Sequence, residues 1–147
     1  MSGLLGTAAS SIVDMNLLLQ VVIYILLVAG VVSAKRGKFR RHGLLQGAAV
    51  LLGSMSLILV MGPSLLRNFS GIITTSFGLG SPLTLLHAIV GALSLVMGWI
   101  SVLALRPCGK VRVKRGLGPV RRYMLLMFAV WTLSFILGIT VYSFFYL

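Results

Sequence analysis

The chain has 147 residues, 59% of them hydrophobic and 10% charged, with a mean hydropathy of +1.09. Soluble domains carry about a quarter charged residues, so this composition excludes a water-soluble fold and suits one compact membrane bundle, a single domain over 1–147. The net charge is +12, from 13 Lys and Arg against one acid, Asp14; the basic residues cluster in two short runs between apolar segments, which reads as a topology signal and not as a nucleic-acid surface.

The start, MSGLLGTAASS, has no basic region, so no cleavable signal peptide is expected. Ser10, Ser11 or Asp14 is placed to cap the first helix, and Asp14 suits the positive end of its dipole. The first span covers about 15–34 without a charge. Asn16, Gln20 and Tyr24 recur at helical spacing and share one face. Polar side chains are costly in lipid, so that face should point into the bundle, as a polar pocket or as interhelical hydrogen bonds.

Lys35–Arg41 is a short basic turn that demands antiparallel neighbours. The second span covers about 40–66. His42, Gln46, Ala49, Gly53 and Ser56 form one stripe, with a GxxxG pair, Gly43 and Gly47, beside it; small residues let a neighbouring backbone approach. Pro63 removes a mid-helix amide, so it belongs near the far end, where the helix can bend or unwind. The connection Arg67–Ser81 is too apolar for a free loop and should lie on the membrane surface or fold back onto the bundle. Asn68-Phe69-Ser70 matches a glycosylation sequon, a triplet common by chance.

The third span covers about 82–105, with Pro82 in its first turn. Thr84, Ala88, Gly91, Ser94, Gly98 and Ser101 trace a small-residue stripe; His87 sits on its edge and should face protein, whereas nothing places Trp99. Arg106–Arg122 is the second basic connection and holds seven basic residues, against five in the first and Arg67 alone on the opposite side. This asymmetry predicts both basic connections in the cytoplasm and both termini outside, in a cell membrane whose anionic headgroups the two runs contact. Cys108 lies in the second run; a lone cysteine excludes an intramolecular disulfide, and palmitoylation or metal binding is its minor alternative. The fourth span covers about 120–145, with Trp131, Ser134, Gly138 and Tyr142 on one face, and Tyr123 near one end and Tyr142, Phe144, Phe145 and Tyr146 near the other read as interfacial aromatic belts. Together these elements predict an all-α, integral membrane, antiparallel four-helix bundle.

The sequence holds no paired carboxylates, no Ser-His-Asp set and no phosphate loop, so no enzyme activity is expected. Two histidines are its natural haem or copper ligands. Helix rise puts His42 and His87 roughly 20 Å apart along the membrane normal, so one iron cannot take both. Met61 and Tyr142 are candidate second ligands for His87, and Met124 and Met127 for His42; methionines in an apolar chain are more often simple packing. The plain alternative for both histidines is a hydrogen-bonded structural role.

Four segments carry a resemblance: KRGKFRRHGLL at 35–45, VMGPSLL at 60–66, LLHAIVGALSL at 85–95 and VRRYMLLMFAVWTLSFILGITVY at 120–142. In layout and in these positions the chain resembles a family of small four-span prokaryotic membrane proteins, the CtaM/YozB-like cytochrome oxidase maturation proteins. The resemblance implies histidines opening span two, in the outer connection, early in span three and before span four. His42 and His87 match the first and third; the outer connection has none, and Val120 stands where the last is expected. The resemblance implies a non-catalytic protein of respiratory-chain or cytochrome oxidase biogenesis, with haem b or copper at His87 or His42 and respiratory complex subunits as partners; Met61 stays a candidate second ligand by its depth alone. The alternatives are a structural accessory subunit of a larger membrane complex and a small transporter or lipid-binding protein.

Overall fold

In a computed structural model of the chain, residues 4, 6, 8–74, 78–104 and 117–147 are described. Most of the second basic run, including Cys108, lies outside them, as does the middle of the connection after Thr74. The described residues form helices α1 (Ser11–Lys35), α2 (Phe39–Ser56), α3 (Gly62–Arg67), α4 (Phe69–Ile73), α5 (Gly80–Ala104) and α6 (Leu117–Tyr146). A π-helical turn, Leu57–Met61, joins α2 to α3. Among the described residues, four stretches are long and apolar enough to cross a membrane: Ser11–Lys35, Phe39–Arg67, Gly80–Leu103 and Val120–Tyr146. They pack as an all-α antiparallel four-helix bundle, and the chain is a multi-pass membrane protein by that measure.

The first turn ends α1 by local chemistry. Gly37 adopts φ +73°, its amide donates to Ala34, and the Lys38 amide reaches back to Ser33 at 2.9 Å. Only glycine takes this left-handed position without strain, and the paired bonds satisfy carbonyls that the helix end would leave open. The chain re-enters a helix at Phe39, so α1 and α2 form a tight hairpin. The backbone of α1 starts at Ser11 and not at residue 15, because the Ser10 carbonyl accepts the amides of Val13 and Asp14; no side chain caps it.

α5 and α6 form the second hairpin. The hairpins meet through glycine-lined approaches. A Cβ on Gly98 would stand 2.7 Å from Val50 Cγ2, and one on Gly53 would stand 3.2 Å from the Trp131 ring. Ile23, Leu27, Ala49, Val50, Met127 and Trp131 fill the core between them. Gln46, Ser56, Ser94, Ser101 and Ser134 are also buried, while Ile25, Leu51, Ile89, Val96 and Ile136 face outward. The inside-out pattern follows from the solvent: polar groups are costly against lipid, and aliphatic ones are not.

Ala8 N–H donates to the Tyr146 carbonyl, so the start of α1 and the end of α6 lie together at one end of the bundle. There α4 folds back onto α5 with Ile72 buried, one of the two courses expected for this connection.

Candidate functional site

The hairpins close on each other at mid-bundle and part toward the end that holds the termini. Between them lies a cavity of about 450 Å³. Two local features leave this room. Ala88, Gly91, Ala92 and Gly138 put little volume on the facing sides of α5 and α6. The π-helical turn then swings the end of the second span: Gly62 N–H donates to Leu57, five residues back, ahead of Pro63, which has no amide to give. The sequence placed the irregularity at the proline; the structure puts the widening in the turn before it.

The first hairpin contributes a polar wall. Gln20 Nε2 donates to Ser56 Oγ at 2.8 Å, and Ser56 Oγ donates to Asn16 Oδ1 at 2.5 Å. The Gln20 amide also approaches Met61 Sδ at 3.8 Å, a weak acceptor. Tyr24 follows on the same face, with its hydroxyl 3.4 Å from Thr132 Oγ1 and its ring stacked on Phe135 at 4.5 Å. The face Asn16-Gln20-Tyr24 therefore points into the bundle as expected, where Asn16 and Gln20 meet Ser56 and Tyr24 meets Thr132 and Phe135.

The second hairpin contributes His87. Its Nδ1 lies 3.1 Å from the Ser134 carbonyl oxygen. A carbonyl only accepts, so Nδ1–H is the donor, and a neutral ring then keeps its lone pair on Nε2. The ring rests on Gly138, where a Cβ would stand 3.0 Å from Cε1. His87, Met61 and Tyr142 all line the cavity.

At the terminal end, Tyr142 OH donates to Asp14 Oδ1 at 2.5 Å, with both residues buried. This corrects two sequence readings. Asp14 is not a helix cap but a fully buried acceptor, and Tyr142 turns into the bundle and is not part of an interfacial belt. The face Trp131-Ser134-Gly138-Tyr142 carried the signal: Tyr142 continues the inward stripe.

His42 lies far from this site. Its Nδ1–H donates to the Gly30 carbonyl at 2.9 Å, and His42 does not line the cavity. Gly30 is further along α1 than Gln20 by about 15 Å of helix rise. Met127, a candidate partner for His42, is buried and its sulfur accepts from Gln46 at 3.6 Å and Ser101 at 3.1 Å. Met124 packs against the core cluster. Trp99, unplaced by sequence, donates from Nε1 to Ser54 Oγ at 3.0 Å.

The donors present decide which groups fit. No set of three His, Cys, Asp or Glu side chains converges among the described residues, so a three-ligand copper site is not assembled by them. For haem, His87 offers one axial imidazole, with Met61 in the same cavity. The described lining holds no Lys or Arg to meet two propionates, and Asp14 lies behind Tyr142 at its terminal end. The cavity matches the axial ligand of haem and not its carboxylates. Comparison with protein-family models, curated proteins and solved structures returns no match.

Proposed function

We propose that the chain is a non-catalytic integral membrane protein of respiratory-chain or cytochrome oxidase biogenesis, and that it holds a membrane-soluble ligand between its two hairpins. The observation that carries the binding reading is the cavity itself, an apolar chamber with hydrogen-bonding groups on both walls. The described lining holds no carboxylate pair and no activated nucleophile, and Asn16, Gln20 and His87 Nδ1 are bonded within the fold, which supports binding without catalysis. The biogenesis reading rests on the resemblance, and three of the four segments that carry it line the cavity: VMGPSLL through Val60 and Met61, LLHAIVGALSL through His87 and Gly91, and the last through Ser134 and Gly138. The basic run Lys35–Arg41, exposed at the end opposite the termini, supports a cytoplasmic turn, contact with anionic headgroups and termini outside the cell membrane.

The test is deletion of the chain in its own host. The assembled haem–copper oxidase, read by its reduced-minus-oxidised spectrum, is expected to fall, and unaltered oxidase content would contradict the assignment. A second reading, docking as an accessory subunit, is favoured by Gly43 and Gly47, where an added Cβ meets nothing within 4 Å. Stoichiometric co-purification of partner subunits in mild detergent would select it.

A further inference from the structure

We propose that the cavity takes a quinol, a neutral ring with two opposed hydroxyls on an apolar tail, held between Gln20 of the first hairpin and His87 of the second, and that its oxidised quinone keeps the Gln20 contact alone. This deepens the ligand-binding reading above and rests on it.

Depth comes first. At about 1.5 Å of rise per residue, Gln20 lies ~14 Å and His87 ~10 Å inward from the helix starts at Ser11 and Gly80. Both groups lie well inside membrane-spanning segments. A polar head that binds there leaves the headgroup region altogether. The described lining offers no cation, so a phosphate or carboxylate head would be buried unpaired, at prohibitive cost. The ligand head is therefore neutral.

The hydrogen-bonding complement comes next. One Gln20 amide proton is committed to Ser56, and the other faces only the Met61 sulfur at 3.8 Å. A ring oxygen is a far better acceptor than a thioether and would take that proton. On the opposite hairpin, the Ser134 carbonyl fixes the Nδ1 proton of His87, which leaves Nε2 to accept from a quinol hydroxyl. A donor on one wall and an acceptor on the other suit an oxygen at each edge of one ring. A single-headed isoprenoid alcohol offers one oxygen where a quinol offers two. The parallel Tyr24–Phe135 stack, 4° between planes, adds flat aromatic surface to the same cavity. Leu17, Val60, Leu65 and Ile72 supply apolar lining for the tail.

The test uses the full chain in lipid nanodiscs, titrated with decylubiquinol kept reduced by dithionite and, separately, with decylubiquinone. Trp131 lines the cavity and reports by fluorescence quenching in a Trp99→Phe background. Saturable one-to-one quenching is expected, with quinol affinity about tenfold weaker in Gln20→Leu and in His87→Leu and quinone affinity weaker in Gln20→Leu alone, as the loss of one hydrogen bond in an apolar site predicts. One infrared carbonyl band of the bound quinone, that of the oxygen accepting from Gln20, is expected to shift to lower frequency in the unsubstituted chain, a readout that needs no variant to fold. Unsaturable quenching, unshifted carbonyl bands, equal quinol affinity in folded variants, or equal competition by farnesol would overturn the proposal. So would a Soret band of stoichiometric intensity after haem addition. If mass spectrometry finds another apolar occupant while decylubiquinol fails to bind, the quinol assignment falls and the ligand-binding reading stands; an empty cavity with no quinol binding removes both.

Discussion

At the scale of single residues, the cost of a buried polar group decides what each one does. Asp14 is the only acid in the chain and is fully buried beside the Tyr142 hydroxyl. Tyr142→Phe removes that donor while keeping the ring. The expected loss is ~1–3 kcal/mol of stability, the cost of withdrawing a hydrogen-bond donor from a buried polar acceptor. Thermal unfolding in detergent checks it, and an unchanged midpoint would show that Asp14 does not depend on this bond. Both histidines follow the same rule: each spends Nδ1–H on a carbonyl of the facing helix. They differ in surroundings. His42 lies where the Lys35–Arg41 turn is exposed, and His87 lines a chamber. Gly138→Ala brings a Cβ within 3.0 Å of the His87 ring and must move it by a few tenths of an ångström. The expected outcome is weakened ligand binding with the bundle still folded, read by the same titration as for His87→Leu.

At the scale of elements, glycine placement sets how closely helices approach, and similar-looking glycines differ in consequence. Gly98 faces Val50, and a methyl there would sit 2.7 Å from Cγ2, so Gly98→Ala is expected to cost ~1–3 kcal/mol by overpacking. Gly47 meets nothing within 4 Å, and Gly47→Ala is expected to leave the monomer unchanged or to stabilise it by up to ~1 kcal/mol through helix propensity. Parallel denaturation of the two variants separates these outcomes; equal destabilisation would show that Gly47 is covered by a partner. Gly62 is stricter than either. Its Cβ would stand 2.8 Å from the Leu57 carbonyl oxygen, a backbone atom that cannot step aside as a side chain does. Gly62→Ala is expected to unwind the π-helical turn and so to reshape the cavity wall at Val60 and Met61. Altered crosslinking between cysteines placed at positions 60 and 88 would record it, and an unaltered yield would contradict the role given to the turn.

At the scale of the whole molecule, the bundle and its site were legible in the sequence to different degrees. Span number, antiparallel order and the inward stripes of α2, α5 and α6 follow from apolar length, basic turns and small-residue spacing, because these act within one helix or one turn. The partners across helices do not. Asn16, Gln20 and Ser56 were each placed on an inward face, yet their shared hydrogen bonds depend on the relative height of α1 and α2, which the Gly37 turn sets. The Asp14–Tyr142 bond spans nearly the whole chain, and no local pattern ties its two ends together. The cavity is harder still to read, since it arises where two hairpins fail to fill the space between them.

The orientation belongs to this scale too. A cysteine introduced at Asn68, which is exposed beside the termini, is expected to react with an impermeant maleimide added to intact cells in a Cys108→Ser background; protection there with labelling only after lysis would invert the topology. The account's central claim is that the space between the hairpins is a ligand site governed by Gln20 and His87. Native mass spectrometry of the full chain released from nanodiscs made of its own membranes tests this most directly. The account predicts a one-to-one adduct with the mass of a neutral isoprenoid quinol or its quinone, strongly depleted in the Gln20→Leu, His87→Leu double variant. A bare chain, or an adduct of undiminished occupancy in the double variant, would contradict it.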